Sequence, residues 1–178
     1  LLFTGDMAFD PNIQAARLLA TEIFPAIREA FPEAQLRIVG RNPTPAVRAL
    51  QRPGVTVTGE VPDLLPHLQA ATVYVAPLTT GAGTRTKLLE ALAVGLPIVT
   101  TRIGLEGIEA EDGREVAVAD DPDATVRVVR GLLADPSARQ RLGEAARRLA
   151  ESRYDWSRCL APLEGLYAEL MARRAGGC

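Results

Sequence analysis

The stretch "TVYVAPLTTGAGTRTKLLEALAVGLPIVTT", Thr72 to Thr101, sets a short apolar run, a glycine-rich turn, a helix-forming segment and a second apolar run in succession. The outer runs, Thr72–Ala76 and Pro97–Thr101, are short and largely branched, as strands covered on both faces are. Between them Thr84–Val94 is predicted to be a helix. A strand–helix–strand unit implies parallel pairing through a crossover. Its helix carries an anomaly. Arg85 and Lys87 stand at its start, the positive end of the macrodipole, where Asp or Glu is favoured and none occurs.

The same alternation continues outward. Further strands are predicted at Leu1–Thr4, Gln35–Val39, Val55–Thr58 and Glu115–Ala119, and further helices at Pro11–Ala30, Pro45–Leu50 and Pro62–Ala70. Asp10 before Pro11 reads as a cap and first turn, and Asp63 as a first-turn acid. After Asp120 the chain turns wholly helical, over Pro122–Ala134, Pro136–Ser152 and Trp156–Arg174. The expected fold is α/β: a doubly wound, Rossmann-like parallel six-stranded sheet with C-terminal helices. One domain is expected over residues 1–170, with 171–178, ending "RRAGGC", as a frayed tail.

The 178 residues, 47% of them hydrophobic, suit one full-sized core. A net charge of -2 and a pI near 5.5 argue against nucleic acid or an anionic membrane surface as the main partner. No apolar run approaches the roughly 20 residues that span a bilayer. Cys159 and Cys178 form no metal or redox motif and read as reduced thiols in a cytoplasmic protein. The chain opens inside the apolar run "LLFTG" without an initiator Met, as expected of a domain cut from a longer protein.

Doubly wound sheets bind ligands beyond the carboxyl ends of their strands. That rule selects the loops Gly5–Asp10, Gly40–Thr44, Gly59–Pro62, Pro77–Thr84 and Arg102–Gly107. In the fourth of these, Gly81 and Gly83 precede a helix start whose free N–H groups attract anions. Arg85 and Lys87 repel that dipole when no ligand is present, and a bound phosphate reverses the sign. Lys87, the chain's only lysine, has a second reading as a solvated ion pair with Glu90, three residues on. Glu90 in turn has a second reading as an acceptor for ribose hydroxyls.

These residues look like a family. The run "VPDLLPHLQAATVYVAPLTTGAGTRTKLLEALAVGLPIVTTRIGLEGI", Val61–Ile108, resembles the C-terminal, nucleotide-sugar-binding domain of GT-B glycosyltransferases, in the group 1 branch called glycosyltransferase family 4. "LLFTGDMAFDPN", "LRIVGRNP", "VTVTGEV", "VAVADDP" and "YDWSRCLAPLEGLY" extend the match to about Leu170. The resemblance implies a retaining transferase that moves sugar from a nucleoside diphosphate donor, without a metal or other cofactor, to an acceptor held by an N-terminal domain. It places the donor diphosphate at Gly5 and along Gly83, Thr84, Arg85, Thr86, Lys87 and Leu88. Glu90, the second glutamate of the family's E-x7-E motif, would hold the ribose, and Gly40, Gly59 and Val61 would line the base pocket. The last helix, with Trp156 and Tyr167, resembles a segment returning towards the N-terminal domain; its rings read equally well as core packing.

Two features depart from the family pattern. Ala82 stands where E-x7-E has its first glutamate, which puts sugar recognition in question. The family's Arg and Lys after the first strand are absent, and "GDMAFDPN" offers Met7 and Asn12 instead. "ADDPD", Ala119–Asp123, reads as a capped helix entry rather than a metal-binding Asp-x-Asp pair, and His67 as a packing or surface residue. A non-catalytic sugar-nucleotide-binding module is the alternative. A dehydrogenase is disfavoured because "TGDMAF" lacks the G-x-G-x-x-G turn.

Overall fold

The computed structural model describes residues 1–81 and 85–160, together with residues 163, 166, 167 and 171. Among the described residues, six parallel strands form one sheet: β1 (Leu2–Thr4), β2 (Leu36–Val39), β3 (Val55–Val57), β4 (Tyr74–Ala76), β5 (Ile98–Thr100) and β6 (Ala117–Val118). Their spatial order is β3-β2-β1-β4-β5-β6, the doubly wound order. The helices are α1 (Asp10–Leu18), α2 (Phe24–Ala30), α3 (Pro45–Arg48), α4 (Leu65–Gln69), α5 (Thr86–Ala93), α6 (Pro122–Ala134) and α7 (Pro136–Leu149). The chain builds β2 and β3 on one side of β1, then returns to place β4 on the other. The switch point therefore lies between β1 and β4. Both strands are buried at every residue, as is β5, which explains their unbroken apolar runs.

Several expected elements change length for identifiable reasons. The helix expected over Pro11–Ala30 is α1 and α2 joined by a π turn, Leu19–Ile23. Pro25 has no N–H to donate, and the Phe24 N–H reaches back five residues to the Leu19 carbonyl. That shift leaves the Ala20 carbonyl without a helical donor, and the Arg52 guanidinium takes it. Asp10 lies in the first turn of α1 rather than capping it; the N-cap position is Phe9, with no side-chain cap. α4 starts only at Leu65, because Pro66 is confined to a first turn and the Asp63 carboxylate accepts the Leu65 N–H at 2.9 Å. The acidic "ADDPD" segment does cap a helix: Asp121 accepts the Ala124 N–H at 2.7 Å at the start of α6. No helix among the described residues is long and apolar enough to cross a membrane.

The far end of α5 is fixed by α7. Gly95 and Gly143 are in backbone contact, so a Cβ on Gly143 would stand 2.2 Å from the Gly95 carbonyl oxygen. The Arg147 guanidinium also donates to the Ala93 carbonyl at the α5 C-terminus. Gly143→Ala is expected to cost about 1–3 kcal/mol of unfolding free energy in urea denaturation. Gly131→Ala on α6, where an added methyl meets nothing within 4 Å, should instead be neutral or stabilising.

Candidate functional site

Three glycines floor the crevice at the ends of β1, β2 and β3. The Gly5 N–H donates to the Val39 carbonyl at 3.1 Å, and the Gly40 N–H to the Gly59 carbonyl at 3.1 Å. A Cβ on Gly40 would stand 1.7 Å from the Gly5 carbonyl oxygen, so only glycine lets these strand ends approach. Val61 lies beyond Gly59, half-buried against the core.

Lys87 enters this crevice from the first turn of α5. Its ammonium donates to the Asn12 side-chain oxygen and lies 4.8 Å from the centroid of the Phe3 ring, a cation–π contact. Lys87 Nζ and Asn12 Nδ2 each lie 2.7 Å from where a Gly5 Cβ would be, so glycine makes room for both. The Asn12 amide is oriented by its own donation to the Asp6 carbonyl at 2.9 Å. Burial, and then the Arg85 charge, bring the Lys87 pKa down to about 8, with Glu90 opposing. Glu90 stands at the exposed rim; partial burial of its carboxyl raises its pKa, and Lys87 opposes that.

The other expected site residues divide. Arg85 is 9% exposed and forms the N-cap of α5. Its guanidinium lies over Gly81, where a Cβ would come within 2.9 Å of Nη2. Thr86 is exposed. Leu88 is fully buried, and its N–H is committed to the Arg85 carbonyl at 2.8 Å. Gly83 and Thr84, with Ala82, lie outside the described residues.

Side chains on neighbouring loops hold the crevice in shape. The Asp6 carboxylate accepts from the Ala8 N–H at 3.1 Å, Arg41 Nε at 2.9 Å and Asn42 Nδ2 at 3.3 Å, which clasps the loops after β1 and β2 together. Those bonds, led by the Ala8 N–H, hold the Asp6 pKa below its ordinary value. The Thr100 and Thr101 hydroxyls donate to the Ala76 and Leu78 carbonyls at 2.8 and 2.5 Å and pin the exit of β4. Neither Phe3 as a cation partner nor Asn12 as the Lys87 acceptor is legible in the sequence pattern. Apolar patterning marks a buried ring; it carries no signal for what lies over its face.

Other candidates stand apart from the crevice. His67 is half-buried in α4. Trp156 and Tyr167 are 77% and 60% exposed, so neither packs in the core of this chain. A cleft of about 560 Å³ near the end of α7 includes Glu109, Arg114, Glu115 and Arg153 in its lining. These four pair among themselves, Arg114 with Glu115 at 3.1 Å and Arg153 with Glu109, and no crevice residue lines that cleft.

Sheet order, crevice and glycine floor define a Rossmann-like α/β domain with a cation at its switch point. The family described as glycosyl transferases group 1 matches residues 1–135, and the chain belongs to it. A GDP-mannose-dependent alpha-(1-6)-phosphatidylinositol monomannoside mannosyltransferase from Mycolicibacterium smegmatis is 33% identical over 150 residues, covering 74% of this chain and 39% of that protein. The chain thus spans well under half the length of the curated relatives it matches. Among solved structures, the C-terminal domain of a group 1 glycosyl transferase (LpcC) from Francisella tularensis superposes with a TM-score of 0.65 at 13% identity, covering 87% of this chain and 85% of that one. Anabaena Alr3699/HepE in complex with UDP and glucose gives 0.74 at 15% identity, over 96% of this chain and 47% of that one. The fold is that of a Rossmann-like GT-B half.

A lysine whose pKa is lower folded than unfolded binds fewer protons in the native state, so its contribution to stability rises with pH. Below about 8 the buried ammonium is a liability; between about 8 and 10.5 that liability is relieved. Denaturation of wild type and Lys87→Met at pH 7 and pH 9.5 should show the difference between them moving in the wild type's favour at the higher pH.

Proposed function

We propose that this chain is the donor-binding part of a cytoplasmic, retaining group 1 glycosyltransferase that transfers sugar from a nucleoside diphosphate sugar to an acceptor. The observation that carries the reading is the Lys87 ammonium held against Gly5 at the switch point of a chain that belongs to this family. In this reading the diphosphate lies over Gly5 and along the start of α5, through Gly83, Thr84, Arg85, Thr86 and Lys87, while Leu88 offers neither its buried side chain nor its committed amide. Glu90 accepts hydrogen bonds from the ribose, and Gly40, Gly59 and Val61 line the base pocket. The leaving group is a nucleoside diphosphate. Negative charge developing on its β-phosphate meets the Lys87 ammonium and the amides of a helix start, in a site partly closed to water. That arrangement takes the place of a metal ion.

The names of relatives support a nucleoside diphosphate without agreeing on the base: the Mycolicibacterium protein is GDP-mannose-dependent and the Anabaena structure holds UDP. The acceptor, in this reading, is held by an N-terminal domain of a longer protein. A non-catalytic binding module is the second reading, favoured by Ala82 in place of the first family glutamate. Turnover assays of the full-length protein with a panel of donors separate the two.

Calorimetric titration of the chain with UDP, GDP and ADP should find binding to at least one. Lys87→Ala should weaken that binding by about tenfold or more, as loss of a charge-assisted contact does. Affinity should fall as pH rises through about 8, where the ammonium is lost. Near that pH an anion favours the protonated lysine, so binding should take up protons and its heat should vary with the buffer. Unchanged affinity in Lys87→Ala, or no binding of any diphosphate, would overturn the reading.

A further inference from the structure

The two central strands stop pairing earlier than their neighbours. β1 pairs with β2 at three positions and β4 with β5 at three, but β1 pairs with β4 only at Leu2↔Tyr74. There the Leu2 N–H donates to the Val73 carbonyl at 3.1 Å. The next step of a parallel ladder needs the Thr4 N–H to reach the Val75 carbonyl, and residue 77 to donate to the Thr4 carbonyl. Neither bond is made. Residue 77 is proline and has no N–H. The Thr4 N–H lies 3.3 Å from the Tyr74 hydroxyl, which is also 2.7 Å from the Thr4 hydroxyl. Tyr74 is fully buried, so its hydroxyl supplies a partner where an unsatisfied backbone amide would be costly.

We infer that Tyr74 and Pro77 are positioning residues for the diphosphate: together they part β1 from β4 at Thr4, and so set the gap in which the Lys87 ammonium sits against Gly5. Gly5 is the residue after Thr4, and Lys87 Nζ already occupies the space of its missing Cβ. One more rung of ladder would draw Gly5 towards β4 and close that space. The base-side glycines lie on the other side of β1, where the Gly40 N–H is anchored to the Gly59 carbonyl at 3.1 Å, so they are held from the side away from the gap. The parting therefore acts on the phosphates and spares the base. This inference rests on the donor-site reading above.

The test compares wild type, Tyr74→Phe and Pro77→Ala by calorimetry with UDP, GDP and ADP and the matching monophosphates, with thermal unfolding recorded alongside. Tyr74→Phe frees the Thr4 N–H for the ladder, and Pro77→Ala restores the missing donor. Each should weaken the bound diphosphate by about tenfold while changing the monophosphate by less than about twofold. Pro77→Ala keeps the buried hydroxyl and so serves if Tyr74→Phe does not fold. Equal losses for diphosphate and monophosphate, or no loss in a folded variant, would overturn the inference and leave the donor-site reading intact. A wild type that binds none of the three diphosphates would overturn both.

Discussion

β1 and β4 are interior strands of a parallel sheet, where an unmade ladder bond is an unmet polar group in a dry environment. The sheet leaves their pairing short nonetheless. The cost is limited because the Thr4 amide meets the Tyr74 hydroxyl and residue 77 has no amide to satisfy. The outcome is a parting between two strands that are otherwise fully buried, at the point where the connectivity reverses. The side chains that meet in the crevice are referred to this point. Gly5 follows β1 at once, Asn12 packs against it, and Lys87 reaches it from the helix after β4.

Lys87 sits against three adverse influences: partial burial, the neighbouring Arg85 charge, and the positive end of α5. Partial compensation comes from the Asn12 oxygen, the face of Phe3 and the more distant Glu90. The lysine is spent on Asn12 and does not simply neutralise Glu90. Around it the scaffold is firm. The Asp6 clasp joins the loops after β1 and β2, the Thr100 and Thr101 hydroxyls hold the exit of β4, and α7 grips the far end of α5. In the donor-site reading proposed above, a cation held in such surroundings by its neighbours is preorganised for an anion.

Membership in the group 1 family gives one departure a spatial meaning. The segment after β1 lacks the cations that the family pattern leads one to expect, and Asn12, in the first turn of α1, packs against Gly5 there. Asn12 is also the residue that accepts the Lys87 hydrogen bond. Charge missing from one loop and charge supplied by another helix therefore meet at the same glycine. The other departure, Ala82, falls outside the described residues.

The sequence by itself determined the class of fold, because covered parallel strands must be short, apolar and separated by helices, and that pattern survives in one dimension. It also placed Gly5, Gly40, Gly59, Lys87 and Glu90 at strand ends or a helix start, since those positions follow from element order alone. Local covalent geometry was less legible: Pro25 widens one helix into a π turn and Pro66 delays another, effects that depend on where freed carbonyls find donors such as Arg52. Which way Lys87 turns was decided only by the tertiary structure. Its alternatives are a charged carboxylate on the same helix, Glu90, and a neutral amide seventy-five residues away, Asn12, and residue chemistry read along the chain favours the first. Only the folding of β1 beside β4 brings the second within reach. The parting at Thr4 is likewise a property of two strands at once, because a hydroxyl on one and a missing amide beyond it matter only when the other strand lies alongside.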